Sequence, residues 1–227
     1  TNFSIEGTMV QAECGLKGPK LSQSVAEKGL SGLEFMVAFP GTIGGEVFMN
    51  AGAHGQNVAG CLVEAKCYNP DLGVITLNKE EMKFSYRTSV CQSKNLIVLS
   101  AVFELQPAPS EDIKAKMEEN LHFRKTHQPS LTLPNCGSVF RNPEGNSSGR
   151  LLEQSGVKGY ASGGARVWEN HANFIINNGG TSSDILNVIQ KMRNSVREKF
   201  NIELKPEVRF LGDNIKEVEI CRDLKII

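Results

Sequence analysis

A glycine-punctuated stretch from Gly32 to Gly55 constrains this chain more than any other segment. Glycine and proline interrupt an apolar run there, so the backbone must turn sharply and approach its neighbours where a Cβ would not fit. Pro40-Gly41 predicts a tight turn, and Thr42-Ile43-Gly44-Gly45 predicts the start of a short helix. The first amides of such a helix have no partner inside it, so we expect them to point outward and bind a diphosphate.

A second glycine-rich turn, Asn50-Ala51-Gly52-Ala53-His54-Gly55, follows this short helix at once. A single motif of this kind is about as often a packing device as a ligand site. Two such turns on either side of one short apolar helix are harder to explain by packing, and they favour a ligand site.

Charge, apolar runs and cysteine spacing exclude several classes of protein. The 25 basic and 25 acidic residues of the 227-residue chain cancel to zero formal charge, which argues against nucleic acid or an anionic membrane as the main partner. No apolar run approaches the length of a transmembrane helix. The 4 histidines and 6 cysteines have no metal-ligand spacing, so we expect no metal and reduced thiols.

Hydrophobic periodicity predicts both strands and helices, in two domains that meet at Pro107-Ala108-Pro109. Alternation from Leu62 to Tyr68 predicts a half-buried strand with Val63, Ala65 and Cys67 on one face. The almost continuous apolar and β-branched run from Leu96 to Leu105 predicts a central strand buried on both faces.

Two long amphipathic helices are predicted in the second half of the chain. One begins at Ser110 and ends before Pro129, and the other runs from about Ser182 to Phe200 behind a capping box of Thr181 and Asp184. We expect both helices to pack on one face of a small sheet.

The glycine-rich segment resembles the second flavin-binding segment of the UDP-N-acetylenolpyruvoylglucosamine reductases. Further segments that resemble this family follow in order along nearly the whole chain. They are Ser85-Tyr86-Arg87-Thr88-Ser89, Gly137-Ser138-Val139-Phe140-Arg141-Asn142-Pro143, His171-Ala172-Asn173-Phe174-Ile175 and Pro206-Glu207-Val208-Arg209-Phe210-Leu211-Gly212.

The resemblance implies an α+β fold with an FAD-binding domain of the vanillyl-alcohol-oxidase type in residues 1–108. An α/β substrate-binding domain would follow in 109–212, with a tail in 213–227. The family's additional N-terminal flavin-binding subdomain has no counterpart here, so we expect an N-terminally truncated domain that binds FAD weakly. The chain resembles the subclass without a tyrosine-bearing insertion. Trp168 and Asn170 stand where the family usually has a small polar residue and a lysine or similar residue, and the indole of Trp168 would add bulk near the cofactor.

The implied activity is NADPH-dependent reduction of UDP-N-acetylglucosamine enolpyruvate to UDP-N-acetylmuramate through bound FAD, in peptidoglycan precursor synthesis. This step belongs to cell-wall biogenesis, and so to cell shape and cell division. We expect a monomeric cytoplasmic protein, or one of the plastid stroma if the source is a plant. Its partners would be the UDP-sugar and NADPH, without nucleic acid or membrane.

The resemblance also assigns roles to individual residues. Arg87 and Glu207 would stabilise the enolate that forms as hydride arrives, and Ser138 would deliver a proton to the substrate Cα. By pattern alone these residues are equally a solvated arginine, a turn serine and a strand-edge glutamate. Tyr86, Asn142 and His127 would contact the substrate. Cofactor contacts would come from Pro40, Gly41, Thr42, Ile43, Gly44, Gly45, Asn50, Gly52 and Ala53.

Two other functions fit parts of the pattern. A different FAD oxidoreductase of the same fold, such as an alcohol or hydroxy-acid oxidase, would share the glycine-rich segment but would have no reason to carry the Arg87, Ser138 and Glu207 segments together. A truncated, non-catalytic protein that keeps only UDP-sugar binding is the second alternative.

Overall fold

The structure is a computed structural model, and it describes residues 2–212. The predicted tail, 213–227, lies outside the described residues, and so does Cys221. The chain divides into two compact units, one that ends at Arg124 and one that begins at Lys125. Each unit combines helices with antiparallel strands, so the predicted α+β class holds for both.

The first unit contains most of the strands. Its strands are β1 (Phe3–Glu6), β2 (Met9–Glu13), β3 (Leu30–Ser31), β4 (Gly52–Ala53), β5 (Gln56–Asn57), β6 (Leu62–Asn69), β7 (Gly73–Asn78), β8 (Ile97–Glu104) and β9 (Gln106–Pro107). Its helices are α1 (Gly18–Ala26), α2 (Ile43–Phe48), α3 (Val90–Ser93) and α4 (Ser110–His127), with short 3-10 segments at Glu34–Ala38 and Val58–Gly60.

A five-stranded antiparallel sheet forms the frame of the first unit, in the order β1-β2-β8-β6-β7. The predicted central position of β8 is therefore confirmed. The prediction that β8 is buried on both faces is wrong, because Val98, Ala101 and Phe103 are buried while Ile97 is 59% exposed. The pairing of β8 with β6 skips Leu99, so the face of β8 that meets the core changes between Ala101 and Val98, and Ile97 lies on the outer face.

A register irregularity changes which side chains of β6 are buried. Pairing with β8 shifts between Leu62 and Glu64, where one strand gains a residue relative to the other. As a result Leu62, Ala65 and Cys67 are buried while Val63 is only half-buried. The predicted face holds for Ala65 and Cys67 but not at the start of the strand, because a bulge moves side chains to the other face.

Helix α4 belongs mainly to the first unit, which therefore extends past the predicted boundary near residue 108. Ile113 and Met117 pack with Ala26, Val37 and Ala38. The buried Asn120 side chain also donates to a backbone carbonyl of the Glu34–Ala38 segment. Apolar contacts thus hold α4 to the preceding residues, and the prediction that it packs on the small sheet of the second unit is wrong.

The second unit is built around a small antiparallel sheet and one long helix. It contains α5 (Ser148–Gln154), β10 (Ala161–Ser162), β11 (Ala165–Val167), β12 (Ile175–Asn177) and α6 (Ser182–Phe200). The strands pair in the order β10-β11-β12, and α6 packs on this sheet as predicted. Its buried residues Leu186, Val188, Ile189, Met192 and Val196 join the core of this unit.

The predicted capping box of α6 is confirmed. The Thr181 hydroxyl accepts from the Asp184 amide at 3.2 Å, and the Asp184 carboxylate accepts from the Thr181 amide at 2.8 Å. These two bonds satisfy amides that have no partner within the helix, so they fix where α6 begins.

Replacement of Thr181 by alanine should lower the free energy of unfolding by about 1 kcal/mol, because the Asp184 amide loses its acceptor. Chemical denaturation monitored by circular dichroism measures the change. Ser182→Ala is the matched control at the next, exposed position, and we expect its effect to stay within about 0.5 kcal/mol. Equal losses in the two variants would show that the cap does not stabilise the helix.

Candidate functional site

The predicted turn and short helix are present in the first unit. Helix α2 begins at Ile43, and Thr42 is its N-cap. The expectation that its first amides are unpartnered is wrong, because the Ile43 amide donates to the Leu16 carbonyl and the Gly44 amide to the Cys14 carbonyl, each at 2.9 Å. Backbone carbonyls from a preceding segment therefore satisfy two of the amides that we expected to bind a diphosphate.

Close packing explains two of the glycines in this turn. A Cβ on Gly44 would lie 2.9 Å from the Cys14 Cβ, and a Cβ on Gly41 would lie 2.8 Å from a Glu46 carboxyl oxygen. Gly45 differs, because it is exposed and the nearest atom to its Cβ position is the Thr42 hydroxyl at 3.7 Å. Its amide makes only a 3.5 Å contact with that hydroxyl. The surface open to a ligand is thus formed by Pro40, Gly41, Thr42 and Gly45.

A buried carboxyl group lies beneath this turn. Glu46 is 3% exposed, and neither of its carboxyl oxygens has a hydrogen-bond partner. Burial raises the pKa of Glu46 to about 8, because an ionised carboxylate loses its hydration there and gains no partner. The group is therefore largely protonated at neutral pH. No sequence signal pointed to it, since a glutamate in the first turn of a helix is usually solvated.

Replacement of Glu46 by glutamine should stabilise the fold more at pH 8.5 than at pH 5. Between the unfolded pKa and about 8 the unfolded chain releases a proton that the folded chain keeps, so wild-type stability falls as pH rises through this window. A shift of this size corresponds to at most about 5 kcal/mol. Urea denaturation at the two pH values measures the difference, with the exposed Glu104→Gln as control. If the stability difference between Glu46→Gln and wild type is the same at both pH values, the pKa of Glu46 is not raised by burial.

The second glycine-rich turn is a hairpin of β4 and β5, with Gly52 paired to Asn57 and Ala53 to Gln56. His54 and Gly55 form its two-residue loop, and both have positive φ. Two residues with positive φ are the favoured loop of a two-residue β-hairpin, and glycine adopts this conformation readily, which accounts for Gly55. The predicted second turn is therefore present.

Tyr86 and Arg87 occupy the tip of a tight turn closed by two backbone bonds between Ser85 and Thr88, each 3.1 Å. The Arg87 guanidinium donates to the Gly52 carbonyl at 2.9 Å, and it lies 5.3 Å from the centre of the Tyr86 ring. The Asn50 side chain donates to the Ser85 carbonyl at 3.0 Å. The structure thus brings the predicted arginine together with two predicted cofactor residues, Asn50 and Gly52.

In the second unit the structure brings the backbones of the Ser138 and Glu207 segments together. The Glu207 amide donates to the Val139 carbonyl at 2.8 Å, and Phe140 forms an isolated antiparallel bridge with Pro206. Ser138 is exposed and Glu207 is half-buried. A β-like run was expected around Glu207, but among residues 2–212 no named strand covers this segment, which forms an isolated bridge instead.

The other predicted substrate residues have structural contacts of their own. The Asn142 side chain accepts from the Ser148 amide at 3.0 Å, at the start of α5. His127 is exposed at the end of α4, with its Nδ1 2.7 Å from the Thr126 hydroxyl. Trp168 packs edge-on against Phe174, with ring centres 6.4 Å apart.

Residues 2–212 contain neither a candidate metal site nor a helix that could span a membrane. No group of three or more His, Cys, Asp or Glu side chains in that range is placed to hold a metal ion. No helix in the same range combines the length and apolar character needed to cross a bilayer. The cysteines there are free, and the Cys67 and Cys91 sulfurs are 4.0 Å apart.

The fold and these residues define the class of the protein. It is an α+β chain of two units. In the first unit the second glycine-rich turn is hydrogen-bonded to Arg87, and in the second unit Ser138 and Glu207 lie on neighbouring segments. Comparison with known proteins identifies the family.

Residues 128–211 match the domain described as UDP-N-acetylenolpyruvoylglucosamine reductase, C-terminal domain. The chain is 43% identical to the reductase of that name from Bacillus subtilis, over 94% of this chain and 71% of the relative. It is 44% identical to the one from Nostoc sp., over 94% and 65%. The crystal structure of the Thermus caldophilus reductase matches with a TM-score of 0.77 and 33% identity, over 87% of this chain and 71% of that one. The chain belongs to the UDP-N-acetylenolpyruvoylglucosamine reductase family.

The predicted resemblance and activity are thereby confirmed. The reaction is the reduction of the enolpyruvyl ether of UDP-N-acetylglucosamine, a step in peptidoglycan and cell-wall synthesis. The family is one of FAD enzymes that use NADPH.

Proposed function

We propose that the first unit is an FAD-binding domain of the vanillyl-alcohol-oxidase type and that the second unit binds the UDP-sugar. The observation that carries this assignment is the bond from the Arg87 guanidinium to the Gly52 carbonyl. It ties the arginine expected to face the substrate carboxyl group to a hairpin expected to face the cofactor. The boundary between the two functional domains would then fall after Arg124 rather than near residue 108.

The first glycine-rich turn, from Pro40 to Gly45, fits part of a dinucleotide. Exposed Pro40 and Gly45 and half-buried Gly41 and Thr42 would supply the diphosphate contacts, and Gly45 leaves room for close approach. Ile43 and Gly44 would act indirectly, because their amides already bond to the protein. Asn50, Gly52 and Ala53 would line the same side. When bound, FAD supplies the two-electron relay by which a hydride from NADPH reaches the enolpyruvyl double bond.

Arg87 would hold the substrate carboxyl group and stabilise the charge that develops on it. A guanidinium is permanently cationic and planar, and here the Gly52 carbonyl and the Tyr86 ring restrict its motion. A charge fixed before the reaction stabilises a transition state without the cost of reorienting it. Tyr86, which is 53% exposed, would contact the substrate beside it.

Ser138 would donate its hydroxyl proton to the substrate Cα, and Glu207 would stabilise the enolate before that transfer. Both sit on backbone segments that bond to each other, so their separation is set by main-chain geometry. Asn142 and His127 would contact the nucleotide-sugar. We propose that the protein acts as a monomer in the cytoplasm, or in the plastid stroma in a plant.

Gly45→Ala should stabilise the chain and weaken FAD binding. Alanine is preferred to glycine in an exposed helical position by up to about 1 kcal/mol, and the added Cβ meets no protein atom closer than 3.7 Å. The same methyl group would meet a cofactor that passes against Gly45, so we expect the Kd for FAD to rise about tenfold. Quenching of flavin fluorescence measures the affinity, and thermal denaturation measures stability.

Gly60→Ala is the matched control for this substitution. Gly60 lies in the same unit, and its Cβ position is likewise open, with the nearest atom 3.9 Å away. We expect no change in FAD affinity there. If Gly45→Ala raises stability and leaves FAD affinity unchanged, Gly45 does not face the cofactor.

Ser138→Ala should separate the two half-reactions. NADPH should still bleach the flavin absorbance at the wild-type rate, because this step needs no proton from Ser138. Recovery of that absorbance on addition of the UDP-sugar should slow by about 100-fold or more, since the proton donor is lost. Stopped-flow absorbance measures both steps, with the exposed Ser183→Ala as control. Wild-type recovery in Ser138→Ala would remove Ser138 from the chemistry.

A further inference from the structure

The side chain of Asn173 makes an unusual pair of bonds to one neighbouring residue. Its Oδ1 accepts from the Phe140 amide and its Nδ2 donates to the Phe140 carbonyl, both at 2.9 Å. The Asn173 backbone carbonyl also accepts from the Val139 amide at 2.9 Å. Asn173 is only 4% exposed, so these bonds form away from water. One asparagine thus supplies the partners that a neighbouring strand would supply.

The segment that Asn173 holds is the one that carries Ser138. On its other side the Val139 carbonyl accepts from the Glu207 amide at 2.8 Å, and the Arg141 amide donates to the Lys205 carbonyl at 3.0 Å. Val139 and Phe140 therefore lie between Asn173 and the Glu207 segment. Displacement of this short stretch would move Ser138 and the Glu207 backbone together.

His171 fixes Asn173 in turn. Its Nδ1 accepts from the Asn173 amide at 3.1 Å, and its ring packs edge-on against Phe174 with centres 5.0 Å apart. Burial lowers the pKa of His171, which favours the neutral ring needed for Nδ1 to act as an acceptor. The turn that presents Asn173 is thus held by its own internal bond.

We propose that Asn173 is a positioning residue for the protonation step, because its amide fixes the Val139-Phe140 segment and so the placement of Ser138 and Glu207. This inference rests on the proposed roles of Ser138 and Glu207. Without the side-chain amide, the Phe140 amide and carbonyl would lose these partners, and only the backbone bond from the Val139 amide to the Asn173 carbonyl would remain on that side of the segment, next to the Gly137 turn, whose φ is +74°. Misplacement of a reacting group by about 1 Å costs roughly 100-fold in rate.

Asn173→Asp is the most informative substitution because it keeps the shape and removes the donor. The ionised carboxylate would face the Phe140 carbonyl, whereas the protonated acid again offers one donor and one acceptor. We expect the flavin absorbance recovery with the UDP-sugar to slow 10- to 100-fold at pH 8 and the deficit to shrink as the pH falls toward about 5, since burial raises the pKa of a carboxyl group. Bleaching by NADPH should stay within about twofold of wild type.

Asn177→Asp provides the matched control in the same unit. The Asn177 side chain bonds to both backbone groups of Gly180, with Nδ2 to carbonyl at 3.1 Å and amide to Oδ1 at 2.8 Å. Loss of this similar pair of hydrogen bonds should lower stability by a comparable amount without slowing the absorbance recovery. If Asn177→Asp slows recovery as much as Asn173→Asp, or if Asn173→Asp shows no pH-dependent deficit, the positioning role is overturned.

Two further measurements complete the test. Hydrogen exchange of the wild-type protein should show the Phe140 and Val139 amides protected, and rapid exchange at both would overturn the proposal even if the Asn173 variants fail to fold. The absorbance recovery of Ser138→Ala is measured in parallel under the same conditions. If Ser138→Ala slows recovery while Asn173→Asp does not, only the role of Asn173 fails; if it does not slow recovery, the role of Ser138 fails first and that of Asn173 with it.

Discussion

The close seating of α2 on the Cys14–Leu16 segment determines how the first unit presents its glycine-rich turn. Carbonyls of that segment accept the first amides of the helix at 2.9 Å, and this approach is possible only because Gly44 has no side chain. The turn before the helix is held in the same way, since the Gly18 amide donates to the Gly41 carbonyl. Gly45 then faces outward, and the helix offers a ligand one open position rather than a row of free amides.

Asparagine side chains form hydrogen bonds with backbone groups where regular strand pairing is missing. An asparagine amide has the same donor and acceptor as a peptide group, so one side chain can join two backbone segments. Asn50 accepts from the Ala59 amide and donates to the Ser85 carbonyl, which ties the β4–β5 hairpin to the turn of Arg87. Asn173 does the same for the segment of Ser138. In each unit the candidate site therefore rests on a buried amide.

The first-unit site also concentrates features that cost stability. Glu46 is a buried carboxyl group without a hydrogen-bond partner, while Asn50, His54 and Arg87 adopt positive φ. Groups of this kind persist only where the surrounding structure holds them, and they are typical of ligand-binding regions. Here the five-stranded sheet and its apolar core supply that support. Two of these four residues, Asn50 and Arg87, are also residues to which the family resemblance assigns a role.

Local patterns determined much of this protein by sequence alone: the short helix after Thr42, the hairpin loop at His54-Gly55 and the capping box of Thr181 depend on residues within a few positions of one another. Motif order along the chain also determined the family. Tertiary structure alone decided that Cys14 and Leu16 occupy the helix amides, that α4 packs on the first unit, and that Glu46 and Asn173 are buried beside the candidate site. These outcomes depend on contacts between residues distant in sequence, and periodicity carries no information about which distant carbonyl or apolar surface a segment will meet.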